Sequence, residues 1–230
     1  MTKLYSYIVT LDAGFAPNPF WGYCTLACCK PVIRRMAQKC DWIVGLSRKR
    51  DANKVIYAMR VTEEPLIFEQ YFSDKRFERK KPDLRSRNYR LWCGDNIYRP
   101  RRNGDFEQIS SLFHSNVDGS EHLGEKRKDL SGLHVLVSRD FYYFGGDPRP
   151  LPRNLRALRV GRGHKCKFSE QTIAKFEAFI RKQIRGVNTE PADFQEIVQL
   201  KFASDATLSR RKRGCKTPGS PRSHGKCRRS

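Results

Sequence analysis

Asp41-Trp42-Ile43-Val44-Gly45-Leu46 and Val55-Ile56-Tyr57-Ala58-Met59-Arg60-Val61 are short apolar runs on either side of a charged stretch, residues 48–54. Both have strand length, and the connection is longer than a tight turn. The pair predicts an antiparallel hairpin with an extended loop. Outward from it, residues 4–10 alternate with period two and predict another strand. Residues 133–138, 141–144 and 155–160 predict three more, and Gly145-Gly146-Asp147-Pro148 breaks the chain between the last two.

Helices punctuate these strands. Residues 32–38 follow Pro31, whose missing N–H costs nothing in a first turn. Residues 66–72 predict a second helix and 170–184 the clearest one. There Ser169 is the N-cap, Gly186 follows the end, and Ile173, Phe176, Phe179, Ile180 and Ile184 form one apolar face. Residues 73–131 are polar, with a short strand expected at 95–98 and a Gly-Asp turn at 104–105. A loop of that length in a compact domain is functional, mobile or internally structured. Strands with inserted helices, and no regular strand–helix alternation, predict an α+β fold. The expectation is a single domain over residues 1–202, with a curved, barrel-like sheet and packed helices.

Of the 230 residues, 46 are Lys or Arg and 24 Asp or Glu, a net charge of +22. Residues 203–230 hold nine basic residues and one acid and are rich in Ser, Gly and Pro, which predicts a disordered basic tail. The body is basic without it. At 38% apolar and 11% aromatic the chain can build a core. No stretch approaches the roughly 18 apolar residues of a membrane span, and the start lacks the basic-then-apolar order of a signal peptide. The eight cysteines, at 24, 28, 29, 40, 93, 166, 215 and 227, are too sparse for a secreted disulfide scaffold. They are expected to be reduced thiols in a cytoplasmic protein.

Neither Gly-x-x-x-x-Gly-Lys-Ser/Thr nor Gly-x-Gly-x-x-Gly occurs. Gly161-Arg162-Gly163-His164 has half of the second pattern, and reads either as an anion-binding turn or as a flexible turn with a solvated arginine. Cys24, Cys28, Cys29 and Cys40 lack the paired spacing of structural zinc ligands, so no metal and no cofactor is expected. Ser138-Arg139-Asp140, His114-Ser115-Asn116 and a pair such as Cys29 with His164 contain nucleophiles or bases, but spacing alone does not bring them together. Aromatics beside polar and basic residues point to nucleic acid, where rings stack on bases and Arg or Lys holds phosphates. Asn18-Pro19-Phe20-Trp21-Gly22-Tyr23, near Lys30, Arg34 and Arg35, is the strongest such group. The charge runs Lys49-Arg50 and Arg79-Lys80-Lys81 read as solvated faces or as loose phosphate attraction.

Phe15-Ala16-Pro17-Asn18-Pro19-Phe20-Trp21-Gly22-Tyr23-Cys24-Thr25-Leu26-Ala27-Cys28-Cys29-Lys30-Pro31-Val32-Ile33-Arg34 resembles the N-terminal signature of the nucleotide modification-associated domain family, type 2. Asp41-Trp42-Ile43-Val44-Gly45-Leu46, Cys93-Gly94-Asp95-Asn96-Ile97-Tyr98, His114-Ser115-Asn116, Val137-Ser138-Arg139 and Val160-Gly161-Arg162-Gly163-His164 extend the likeness, in order, over about residues 3–188. Cys40 stands where the family pattern has a turn glycine, and the basic tail is foreign to it. The resemblance implies association with systems that modify or recognise bases in DNA, often of phage or mobile-element origin. It carries no catalytic assignment. The strand–turn–strand–helix order also resembles PUA- and EVE-like barrels, which hold modified bases.

The leading expectation is therefore a nucleic-acid- or nucleotide-binding protein with a pocket for a modified base, its partner DNA or a nucleotide and no membrane. Phe20, Trp21 and Tyr23 would stack, Asn18, Asp95 and Asn96 would read base edges, and Lys30, Arg34, Arg162 and His164 would hold phosphate. The alternatives are an enzyme acting on a nucleotide or base, with His114, Ser138 and His164 as its chemical groups, and a scaffold in a DNA-modification or anti-phage system.

Overall fold

A computed structural model describes residues 1–214. The expected hairpin is its centre. Strand β3 (Trp42–Leu46) pairs antiparallel with β4 (Val55–Arg60), joined by a 3₁₀ turn at Lys49–Asp51 and by Ala52 and Asn53 in the left-handed region. On the other side β3 lies parallel to β1 (Leu4–Ile8), with Leu4 opposite Trp42. Strand β2 (Cys24–Leu26) and helix α1 (Pro31–Met36) form the crossover between them.

Four more short elements follow: β5 (Leu66–Ile67), α2 (Phe68–Ser73), a 3₁₀ segment at Lys75–Lys80 and α3 (Tyr89–Trp92). Strands β6 (Tyr98–Pro100) and β7 (Phe106–Gln108) make a separate hairpin, and α4 (Leu123–Leu130) leads into β8 (His134–Ser138) and β9 (Asp140–Tyr143). Last come β10 (His164–Lys165), α5 (Glu170–Ile180), β11 (Gly186–Val187) and α6 (Phe194–Gly214). The main sheet has the order β10-β1-β3-β4-β9-β11, and a smaller one the order β2-β8-β5.

Period-two alternation sorts the main sheet's side chains to two buried faces. Tyr5, Tyr7, Ile43, Tyr57 and Met59 pack with Leu26, Ile33 and Leu136 of β2, α1 and β8. Leu4, Trp42, Val44 and Ala58 pack with Leu155, Leu158, Phe176 and Ile180. Covering both faces explains why these strands are apolar throughout rather than polar on one side.

Gly45 permits a close crossing. A Cβ there would fall 2.3 Å from Tyr57 Cε1 and 2.6 Å from Val9 Cγ2. Tyr57 is held in place by full burial and by the 2.8 Å bond between its hydroxyl and that of Tyr7. Gly45→Ala is expected to destabilise the domain by about 1–3 kcal/mol, the range for overpacked cores. Urea unfolding would measure it, and an unchanged midpoint would show that Tyr57 moves aside.

Several expectations are corrected. The sheets do not close into a barrel, and the main sheet ends in two short edge strands, β10 and β11. Residues 155–160 are no strand: Arg153–Leu158 is a 3₁₀ helix, because Leu155 and Leu158, three apart, bury one face. Helix α5 has the expected Ser169 cap but ends at Ile180, leaving Ile184 exposed. Residues 66–67 form a strand before α2, and the 95–98 segment becomes strand only at Tyr98. The expected tail boundary at residue 203 falls inside α6, and residues 215–230 lie outside the described residues. No helix among the described residues is long and apolar enough to cross a membrane.

Candidate active site

Between the end of β2 and the start of α1 the chain turns through Cys29 and Lys30, with φ values of 59° and 42°. Two consecutive non-glycine residues in the left-handed region are costly, and such strain persists only where the surroundings impose it. The surroundings here are explicit. The Cys29 N–H donates to Asp129 Oδ1 at 2.6 Å, and Arg34 Nε donates to the Cys29 carbonyl at 2.7 Å. Arg34 also donates to the carbonyls of His134 (2.8 Å) and Asp129 (2.5 Å). Its guanidinium is fully buried, 3.8 Å from the buried Asp129 carboxylate. Gly132 leaves room for it, since a Cβ there would lie 2.5 Å from Arg34 Cζ.

Asp129, near the end of α4, gathers the site. Its Oδ2 accepts from the Tyr98 hydroxyl at 2.8 Å and lies 2.6 Å from His114 Nδ1. The other ring nitrogen, His114 Nε2, is 3.4 Å from Cys29 Sγ. Glu125 Oε2 is 3.8 Å from the same nitrogen. Phe15 packs edge-on against the imidazole, with centroids 4.9 Å apart. Cys29 and His114 line a cavity of about 490 Å³ whose other walls include Val9, Leu11, Phe15, Phe113, Lys30 and Lys128. That volume falls in the range of small-molecule sites.

The charges follow from this packing. Burial alone would push the His114 pKa down, but the hydrogen bonds and charges of Asp129 and Cys29 outweigh it and raise it to about 10. Burial likewise opposes the Asp129 carboxylate, yet His114, Arg34 and Tyr98 hold its pKa below the ordinary value. Neighbouring Cys28 is different: full burial raises its thiol well above the usual range. A thiol, an imidazole facing it and a carboxylate fixing the far ring nitrogen form the arrangement that activates a nucleophile.

Cys28, His114 and Asp129 also place three possible metal-ligand atoms within 4.8 Å of one another. Cys28, however, is kept protonated by its burial, and its Sγ lies 3.5 Å from the Asp95 carbonyl. His114 and Asp129 are bonded directly to each other. As folded, these donors serve a hydrogen-bond network.

Among the expected catalytic groups only His114 reaches this cavity. Ser138 is buried on β8 and donates to the Asp140 carbonyl. His164 lies on β10 beside Tyr5 and lines a different cavity. The expected base-reading residues are buried and committed to the protein itself. Asn18 Nδ2 donates to the Cys93 carbonyl, and Asn96 Nδ2 donates to that of Tyr71. Asp95 accepts from Thr25 and from Tyr71, both at 2.7 Å. The cation over this network is Lys80, whose Nζ donates to both Asn18 oxygens and to the Tyr23 carbonyl, and burial lowers its pKa to about 8. These groups stay inside because the network satisfies most of their polar atoms, Asn96 Oδ1 being left without a partner.

Of the stacking set, Phe20 is core. Trp21 lies under Arg79 at 3.6 Å, and Tyr23 under Arg139 at 4.8 Å. Of the phosphate set, Lys30 faces the cavity, Arg162 is exposed away from it, and Arg34 is corrected from ligand to buried anchor. Sequence reading missed Asp129 and did not join Cys29 to His114. The three positions are 85 and 15 residues apart, and no local pattern links them.

No curated protein and no solved structure matches this chain. The profile of one family, described as nucleotide modification associated domain 2, matches residues 1–198 and so takes in every element from β1 to the start of α6. With the match covering all the residues that build the Cys29–His114–Asp129 site, the chain belongs to the nucleotide modification associated domain 2 family.

Proposed function

We propose that the domain is an enzyme that uses Cys29 as a covalent nucleophile on a nucleotide or base. The observation that carries this reading is Cys29 Sγ at 3.4 Å from His114 Nε2, with His114 Nδ1 held at 2.6 Å by Asp129, on the wall of a nucleotide-sized cavity. The family's association with nucleotide modification supplies the substrate class. Before the reaction the proton shared by Cys29 and His114 sits on the imidazole. The Cys29 sulfur forms a bond to an electrophilic carbon of the substrate, and the group displaced from that carbon leaves with the proton from His114. Water then breaks the S–C bond, its proton returning to His114 beside the departing thiolate.

Covalent labelling of the full chain tests this without a known substrate. With limiting iodoacetamide at pH 7, Cys29 is expected to be labelled at least about 100-fold faster than Cys40, an exposed thiol that no imidazole faces among the described residues. Peptide mass spectrometry reads both sites in one sample. Equal rates would remove the nucleophile reading.

A modified-base binder is a second reading, favoured by Arg79 over Trp21 and Arg139 over Tyr23 at the protein surface. It ranks lower because the residues that would read a base edge are inside the fold.

A further inference from the structure

We infer that Lys30 is an anion-recognition residue, and that the molecule attacked by Cys29 carries a phosphate or carboxylate seated on its ammonium group. The inference rests on the nucleophile reading above and adds the chemical class of the substrate.

Consecutive residues in extended chain point to opposite sides. The left-handed turn at Cys29 and Lys30 instead brings both side chains to the same cavity. Lys30 Nζ makes one hydrogen bond to the protein, to the Ile8 carbonyl at 3.3 Å, and lies 4.5 Å from the Tyr7 ring centroid. An ammonium has three donors, so capacity remains for a ligand. No carboxylate among the described residues lies within ion-pair distance of it. Lys128, on the same cavity, is tied to Glu125 at 3.0 Å and adds positive charge nearby. A half-buried cation beside a nucleophile is destabilised by lost hydration, and burial does lower the Lys30 pKa. An anionic substrate relieves that cost, and the apolar walls at Val9, Leu11, Phe15 and Phe113 are left for its base or carbon skeleton.

The test compares two alkylating reagents on the full chain, the anion iodoacetate and the neutral iodoacetamide. Wild-type protein is expected to show an iodoacetate-to-iodoacetamide rate ratio at Cys29 about tenfold above that at Cys40. Lys30→Met should lower the Cys29 ratio severalfold; any loss of sulfur reactivity from the missing charge slows both reagents and cancels in the ratio. Lys30→Gly should do the same and melt no lower than wild type, because glycine accepts the φ of 42° without strain. Inorganic phosphate and acetate, added separately, distinguish the sources: the anion that slows iodoacetamide labelling of wild type, but not of Lys30→Met, identifies the group. A ratio unchanged in both variants, with Cys29 still far faster than Cys40, overturns the Lys30 assignment and leaves the nucleophile intact. Cys29 no faster than Cys40 with either reagent overturns both.

Discussion

His114→Ala is expected to slow iodoacetamide labelling of Cys29 about 100-fold at pH 7, the lower end of what a positioned acid–base group contributes. His114 Nε2 faces Cys29 Sγ, and a pKa of about 10 keeps the imidazole protonated near neutrality, where its Nε2–H can support an anionic sulfur. Without the imidazole, sulfur has to ionise unaided. The sign of the pH dependence follows. Wild-type labelling should already be fast near neutrality, where His114 holds the proton. The variant's rate should climb with pH. Above about pH 10, where wild-type His114 loses its proton, the two curves should converge to within about tenfold. That convergence separates lost chemistry from lost structure, because a collapsed cavity would change the rate by the same factor at every pH. Parallel curves, or a variant as fast as wild type at pH 7, would remove His114 as the base.

The sequence discloses features that rest on near neighbours. The β3–β4 hairpin was legible because each strand is an apolar run bounded by charge, and Ser169 capped α5 as its residue type dictates. Residues 155–160 misled because Leu158 and Val160, two apart, fit a strand, while Leu155 and Leu158, three apart, fit the 3₁₀ turn that forms. The barrel failed for a topological reason: β1 and β3 are parallel, and the short β10 and β11 stay at opposite edges.

Asn18, Asp95 and Asn96 looked like ligands because polar residues in loops are usually solvated. Their burial depends on Lys80, whose charge run gave no sign that one of its members points inward with all its donors used. Arg34 followed the same pattern. The site itself is tertiary. Cys29 comes from a strand–helix turn, His114 from a loop and Asp129 from the last turn of α4, where it reads as one more charge in Glu125-Lys126-Arg127-Lys128-Asp129. Two left-handed residues in succession at Cys29 and Lys30 were invisible beforehand, since neither residue type favours that conformation.

Asp129→Asn should be the most damaging conservative change in the domain, at about 3–5 kcal/mol, the cost of breaking a buried ion pair by removing one partner. Arg34 would keep its backbone acceptors but lose the one carboxylate that, among the described residues, pairs with its buried charge. The Cys29 N–H, the Tyr98 hydroxyl and protonated His114 Nδ1 all donate to Asp129. An amide has one oxygen for three donors, and its NH₂ must face at least one of them. The pH dependence should change as well. His114 is raised from 6.5 to about 10, so the stability it contributes is complete below pH 6.5 and is lost as pH rises through about 10. Asp129 is depressed from 3.8, so its contribution is present above that value and is lost as acid takes the pH through its folded pKa. Between them these groups favour the folded state most from about pH 4 to 6.5, and Asp129→Asn should flatten both limbs. Urea unfolding across that range, with ¹³C-labelled histidine to follow the His114 titration, measures both effects. A loss under about 1 kcal/mol with His114 still titrating near 10 would mean that Asp129 neither anchors Arg34 nor holds the imidazole charged. The strained Cys29–Lys30 turn would then need another source of restraint.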